Sequence, residues 1–231
     1  MPAIIADIHS NLEALETVMD DIKERGIHRV FCCGDIVGYG ADPNSCVDII
    51  KNKSLPSVAG NHDINSAKPS DLSWFNPHAR KALEWTGRNL KKRNRDFLAG
   101  LPQTMVKDGM FMVHGSPADP LHEYVFPDDA GLIEKYAGGI GRPVLVMAHT
   151  HIPFVKRLNS SLVVNPGSVG QPRDSDPRAS YCVVWEKRGS GRTPAHDAEI
   201  VRVDYDIDRA AEKIRREGLP DFLAERLYKG V

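Results

Sequence analysis

The chain has 231 residues, 41% of them hydrophobic and 26% charged, so it is long enough to bury a full hydrophobic core without disulfide or metal staples. Its 30 basic and 31 acidic side chains leave a formal net charge of −1, which excludes a general electrostatic pull toward nucleic acid or anionic membrane but permits a local patch for one phosphate. No stretch approaches the roughly 20 apolar residues of a membrane-spanning helix, and the first residues lack a basic segment followed by an apolar leader.

The four cysteines, Cys32, Cys33, Cys46 and Cys182, show no Cys-x-x-Cys spacing and read as reduced, buried thiols. A cytoplasmic chain folded as a single domain over residues 1-231 is the expectation, with no membrane partner. The oligomeric state is not legible.

Taken in order, the first apolar run is Ala3 to Ala6, ending at Asp7. Leu12, Leu15, Met19 and Ile22 step by 3, 4 and 3, one face of a helix. Ser10 and Glu13 have capping-box spacing at its start, and Gly26 suits its end. Val30 to Cys33 reads as a buried strand stopping at Gly34-Asp35, and a second helix starts near Pro43 and Asn44. The short run Ser57 to Ala59 stops at Gly60-Asn61-His62-Asp63. Asn76 to Leu98 reads as one or two helices, closed by Gly100 and Pro102.

Thr104 to Lys107 and Met110 to Val113 flank Asp108-Gly109, a strong hairpin signal, and the second run stops at His114. Val144 to Ala148 stops at His149-Thr150-His151. Phe154 to Leu158 and Leu162 to Val164 flank Asn159, and Ser180 to Trp185 and Glu199 to Val203 are late strands. The tail from Asp206 to Tyr228 is a charged helix broken at Gly218-Leu219-Pro220 and reads as a solvated cover. Helices alternating with strands early, then hairpins late, indicate an α/β fold with a mixed sheet, or two packed mixed sheets flanked by helices.

Five apolar runs end in residues able to bind metal or do acid–base chemistry. In open sheets with helices on their faces, ligands bind at the carboxyl ends of strands. Asp7, His9, Asp35, Asn61, His62, His114, His149 and His151 therefore converge on one crevice. A lone His after a strand is most often a hydrogen-bonded loop residue, and Gly-Asp most often a turn; five such endings together are improbable by chance.

Asp7-Ile8-His9, Gly34-Asp35, Gly60-Asn61-His62-Asp63, His114-Gly115 and His149-Thr150-His151 resemble, in order, the five blocks of calcineurin-like metallophosphoesterases. Asn165-Pro166-Gly167-Ser168-Val169 resembles the small bacterial and archaeal phosphodiesterase branch. The resemblance implies a four-layer α-β-β-α sandwich of two mixed sheets. It also implies two metal ions: one on Asp7, His9, Asp35 and His151, the other on Asp35, Asn61, His114 and His149. A bridging hydroxide would attack phosphorus, and His62 would be the non-ligand catalytic histidine that stabilises the transition state or protonates the leaving group.

Residues two apart on an extended segment point the same way, which would let Asp7 and His9 reach one ion. The two oxygens of Asp35 would let it bridge both. Nitrogen and oxygen donors without thiolate suit two divalent or mixed-valence ions of manganese, iron, zinc or nickel.

Protein phosphatases and diadenosine tetraphosphatases follow Gly-Asp with a segment ending Asp-Arg-Gly; here Gly38 and Tyr39 stand where that Asp-Arg pair would be. The expected substrate is a small soluble phosphodiester or phosphomonoester. A nucleotide or dinucleotide hydrolase is the alternative enzyme, and a non-catalytic protein-binding scaffold of the same fold the alternative of another class. Asn11, His122 and Arg173 are candidate substrate contacts. For each, a plain reading competes: helix support for Asn11, surface side chains for the other two. His28, His78 and His196 match no block, and Trp74, Phe75 and Trp85 read as core, with a stacking platform for a base as the competing reading.

Overall fold

The segment Pro2–Ile5 (β1) carries no polar side chain and is buried along its whole length, so it needs neighbours on both edges and both faces. In this computed structural model, which describes residues 1–68, 72–187 and 195–231, it has them. Parallel Arg29–Cys32 (β2) lies on one edge and antiparallel Ala179–Lys187 (β8) on the other, and Ala195–Val203 (β9) pairs with β8 to complete a four-stranded sheet. A second, five-stranded sheet runs Thr104–Lys107 (β3), Met110–Val113 (β4), Val144–Val146 (β5), Leu162–Asn165 (β7) and Phe154–Arg157 (β6). β4, β5 and β7 are parallel to one another, with antiparallel strands at both edges. Asp108 and Gly109, both with positive φ (51° and 76°), make the expected tight turn between β3 and β4.

The period-2 alternation of strands sorts side chains into layers. Ile4, Phe31, Met110, Met112, Val144, Val146, Leu162, Val164, Cys182 and Val184 fill the space between the two sheets. Ala3, Ile5, Val30 and Cys32 point the other way, onto Leu12–Glu24 (α1) and Pro43–Asn52 (α2) through Leu15, Val18, Ile22, Val47 and Ile50. Leu145 and Val163 of the second sheet face Ala130–Gly139 (α6) through Ile133, Tyr136 and Ala137. The result is two mixed sheets packed face to face with helices outside, as expected. All four cysteines are free and buried.

Several local expectations are corrected. α1 is capped by Asn11, whose Oδ1 accepts the Ala14 N–H at 3.1 Å. Glu13 does not reach back to form a capping box; its carboxylate is 2.5 Å from Lys213 and 3.1 Å from Arg209. Ser57 makes only an isolated bridge to Cys32, so Asn61 and His62 do not end a strand; they open the helix Asn61–Ala67 (α3). Asn76 to Leu98 contains two helices, Pro77–Asn89 (α4) and Lys92–Ala99 (α5). Trp74 is 53% exposed and not core.

The tail forms Ile207–Arg216 (α7) and Asp221–Glu225 (α8) and is not a solvated cover. Its Ala210, Ala211, Ile214, Leu219, Leu223 and Leu227 are buried against Tyr39, Ala79 and Ala82. The short alanines hid that face among long charged neighbours. Among the described residues, no helix is long and apolar enough to cross a membrane.

Candidate metal centre

The candidate residues meet where the carboxyl ends of β1 and β2 in one sheet face those of β4 and β5 in the other. Asp7, His9 and Asp35 arrive from the first sheet, and His114, His149 and His151 from the second. Asp7, His9, Asp35, His149 and His151 all have left-handed backbone, with φ between 50° and 69°. Such conformations are unfavourable for residues with a Cβ and persist where the surroundings impose them.

Here the loops after β1 and β2 clasp each other. Asp7 N–H donates to Gly34, His9 to Asp35 and Ser10 to Ile36, each at 3.0 Å. The segment Asn165 to Gly170 holds the remaining loops: Ser168 Oγ and Gly170 N–H donate to the Asp7 carbonyl, and Asn165 Nδ2 to the Ala148 carbonyl. The convergence of Asp7 and His9 thus comes from a tight turn, not from the extended geometry expected from their spacing.

Hydrogen bonding fixes which ring nitrogens carry protons. His9 Nδ1 lies 3.1 Å from the Val37 carbonyl and His151 Nδ1 2.6 Å from that of Gln171. A carbonyl only accepts, so each Nδ1 bears the proton and each neutral ring presents a lone pair at Nε2. Those two Nε2 atoms face each other at 3.0 Å. Asp7 Oδ1, which has no hydrogen-bond donor, lies 3.3 Å from His151 Nε2 and 3.7 Å from His9 Nε2. Two lone pairs and a carboxylate oxygen gathered in a buried space repel one another unless a cation sits among them. Ligand bonds of about 2 Å put the donors of one ion about this far apart.

A second gathering adjoins the first. His114 donates from Nδ1 to the Cys33 carbonyl at 2.9 Å, and its Nε2 lies 3.1 Å from His149 Nδ1. Asp35 Oδ2 is 3.3 Å from His114 Nε2 and 3.7 Å from His9 Nε2, so a single oxygen faces both groups. Oδ1 accepts the His62 N–H at 2.8 Å. Gly60 permits this, because a Cβ there would collide with Oδ1. Asn61 Oδ1 is buried without a donor, as a ligand atom would be before its ion arrives.

Burial lowers the pKa of His9 and His149, reinforced by histidine neighbours, and lowers that of His151, reinforced by Arg173. These rings are therefore neutral, the form that binds metal. Burial also opposes charge on Asp35 and His114, but each stabilises the other: Asp35 is held well below the carboxylate range and His114 is pushed up to about 9.

His62 is 3% exposed and its Nδ1 has no partner. Asp63 does not orient it: its carboxylate accepts the N–H groups of Ile36, Val37 and Gly60. The ring is held by packing, 4.5 Å from Tyr39, 4.8 Å from His9 and 5.3 Å from Phe75, centroid to centroid. Gly38, at φ +101°, leaves room for it, since a Cβ would strike Nδ1. His62 also forms a third potential ligand group with His9 and Asp35, whose ligand atoms lie within 4.8 Å of one another.

Of the other candidates, Arg173 lies at the site. It donates to Tyr39 Oη at 3.3 Å and Gln171 Oε1 at 3.0 Å, and its charge adds to burial in lowering the pKa of His9, of His62 (to about 4) and of His151. Asn11 is engaged in the fold, capping α1 and donating to the Gly170 carbonyl at 2.9 Å. His122 is on the exposed rim, its Nδ1 3.2 Å from Asp119 Oδ1. Three further residues lie nearby, and of these only Tyr39 carries a sequence signal, at the place of the Asp-Arg pair. Tyr124 stacks on His149 at 3.9 Å, Tyr39 packs on His9 at 4.6 Å, and Arg226 has its pKa lowered to about 10 by burial and by Arg173.

Residues 2–189 match the calcineurin-like phosphoesterase superfamily domain. An uncharacterized protein of Methanocaldococcus jannaschii is 41% identical, the alignment covering 100% of this chain and 98% of that one. The crystal structure of a metallophosphoesterase from Sphaerobacter thermophilus superposes with a TM-score of 0.83 at 33% identity, covering 100% of this chain and 98% of the other. That of a hypothetical protein from Pyrococcus horikoshii gives 0.87 at 25% identity, covering 100% and 99%. The two packed sheets are thus those of a shared architecture, and the chain belongs to the calcineurin-like phosphoesterase superfamily.

Proposed function

We propose that the protein hydrolyses a small soluble phosphodiester or phosphomonoester at a centre of two divalent ions. Asp7, His9, Asp35 and His151 would hold one ion, and Asp35, Asn61, His114 and His149 the other. The observation that carries this reading is Asp35 Oδ2, facing His9 on one side and His114 on the other. Such ions supply Lewis acidity to the phosphoryl oxygens and to the attacking water. Water adds to phosphorus, the ester P–O bond breaks, and the alcohol departs with a proton. His62, beside Asp35 and unpartnered at Nδ1, gives the leaving oxygen a proton or a hydrogen bond.

Arg173 takes the part of phosphate anchor. The Asp-Arg pair of protein phosphatases is replaced here by Gly38 and Tyr39, yet the guanidinium of Arg173 rests on the hydroxyl of Tyr39. The cation therefore reaches the same corner from a different loop, held in place for one phosphoryl oxygen.

Turnover of an aryl phosphodiester, an aryl monoester and a phosphopeptide with manganese tests the reading. The expected result is metal-dependent hydrolysis of a small ester at least about tenfold faster than of the phosphopeptide. Absence of metal-dependent turnover would sink the enzyme reading, and a preference for phosphopeptide would sink the substrate class.

A further inference from the structure

A file of aromatic rings leads outward from His62. Phe75 meets the His62 ring edge-on at 5.3 Å, and Trp74 stacks on Phe75 with centroids 3.9 Å apart and planes 27° from parallel. His122 stands edge-on to Trp74 at 5.0 Å. Trp74 keeps 53% of its surface exposed, although tryptophan is on average strongly buried and costs solvation free energy when left open. Its ring lies against Phe75 and His122 and leaves an apolar face toward solvent.

A ring that satisfied only the fold would turn inward, as that of the buried Tyr39 nearby does. This file instead begins at the proposed proton donor and ends in solvent. The leaving group of an in-line displacement departs beside the residue that protonates its oxygen, so it would lie along Phe75 and Trp74.

We infer that Trp74 is a stacking platform for a planar aromatic group borne by the phosphate ester, so that aryl or nucleoside esters are preferred over alkyl or sugar esters. This rests on the phosphoesterase reading. Stacking on an exposed indole tolerates any base or arene, because every aromatic ring presents a π-face. Two further exposed rings, Tyr124 and Phe126, lie 10° from parallel and 6.0 Å apart on the side of His149.

Calorimetric binding of adenosine 5′-monophosphate, phenyl phosphate and ribose 5-phosphate to manganese-loaded protein tests this. Adenosine monophosphate and ribose phosphate share sugar and phosphate and differ by the base. The expected Kd of the nucleotide is about 5- to 150-fold below that of the sugar phosphate, the range given by base stacking on an aromatic side chain. Trp74→Ala should bring that ratio toward 1 and leave ribose phosphate affinity within twofold, while Trp74→Phe keeps most of the ratio. Tight phenyl phosphate binding would mark a general arene site, and weak binding a nucleobase site; both support the platform. A wild-type ratio below 2, or a ratio that survives Trp74→Ala, overturns it. Failure of ribose phosphate to bind, together with no turnover of bis(p-nitrophenyl) phosphate, would overturn the phosphoesterase reading and the platform with it.

Discussion

His62 and His149 sit within one histidine cluster yet differ in what surrounds them. His149 has its Nδ1 3.1 Å from His114 Nε2 and its backbone N–H on Asp7 Oδ2 at 3.2 Å, so it belongs among the proposed ligands. His62 is gripped by ring packing and by the absence of a side chain at Gly38, with its Nδ1 left unpaired. His62→Ala should therefore leave both metals bound, barely move KM and lower kcat by roughly 10²–10⁴-fold, with kcat and kcat/KM falling together. The loss should shrink for p-nitrophenyl esters, whose leaving group needs little protonation. His149→Ala should lose metal along with activity. Metal content by mass spectrometry with steady-state kinetics separates the two; equal metal loss in both variants would make His62 a ligand or a support. Asp7, Asp35, His114 and His149 were legible as candidates because each follows an apolar run, and that run is a strand. The left-handed backbone at five of the candidate residues was not legible, because it is imposed by contacts between loops that lie far apart in sequence. Tyr124 was missed as a neighbour of the centre for the same reason: a ring laid on a distant histidine leaves no periodic trace.

At the scale of elements, α7 is tied to α1 by buried charge. Lys213 lies 2.5 Å from Glu13 and 2.8 Å from Asp42, with Lys213 13% and Glu13 7% exposed. Sequence reading assigned Glu13 to a capping box because the spacing from Ser10 fits; the partner it chose is 200 positions away and outcompeted the local one. Removing one member of a buried pair leaves the other charge stranded and typically costs about 3–5 kcal/mol. Arg209 remains 3.1 Å from Glu13, so Lys213→Ala should cost less, about 2–3 kcal/mol, or a fall of about 5–10 °C in Tm for a chain of this size. The double variant Glu13→Gln with Lys213→Met removes both charges and should recover much of that loss. Thermal melts of the three proteins check it; a single variant within 1 °C of wild type would show that the network contributes no stability. The tail was read as a cover because Lys213, Arg215 and Arg216 dominate its composition, whereas Ala210, Ala211 and Ile214, its buried stripe, are few and small.

Considered whole, the molecule is two sheets whose loops meet at one centre, and the centre is where the fold is least self-sufficient. Asp7, His9 and Asp35 hang from one sheet and His114, His149 and His151 from the other, with the Nε2 lone pairs of His9 and His151 pressed together at 3.0 Å. A cation shared between them would replace repulsion with bonds that cross-link the sandwich, in addition to any bonds made within one sheet. An ion that binds only the folded chain adds RT ln(1 + [L]/Kd), about 2.7 kcal/mol at a hundredfold excess over Kd. At about 2–4 °C per kcal/mol for a chain of this length, each ion should raise Tm by about 5–11 °C. Chelator-stripped protein should therefore melt well below protein with manganese or zinc restored, and the order of the two metals gives their relative affinity directly. His149→Ala should lose roughly half of the metal-induced increment, because only one of the two groups is damaged. Asp35→Asn should lose more than His149→Ala, because its Oδ2 faces both. Scanning calorimetry of the three proteins with and without metal decides the point. If Asp35→Asn keeps the full increment, the ions do not bind where this oxygen points, and the dinuclear assignment falls while the fold stands.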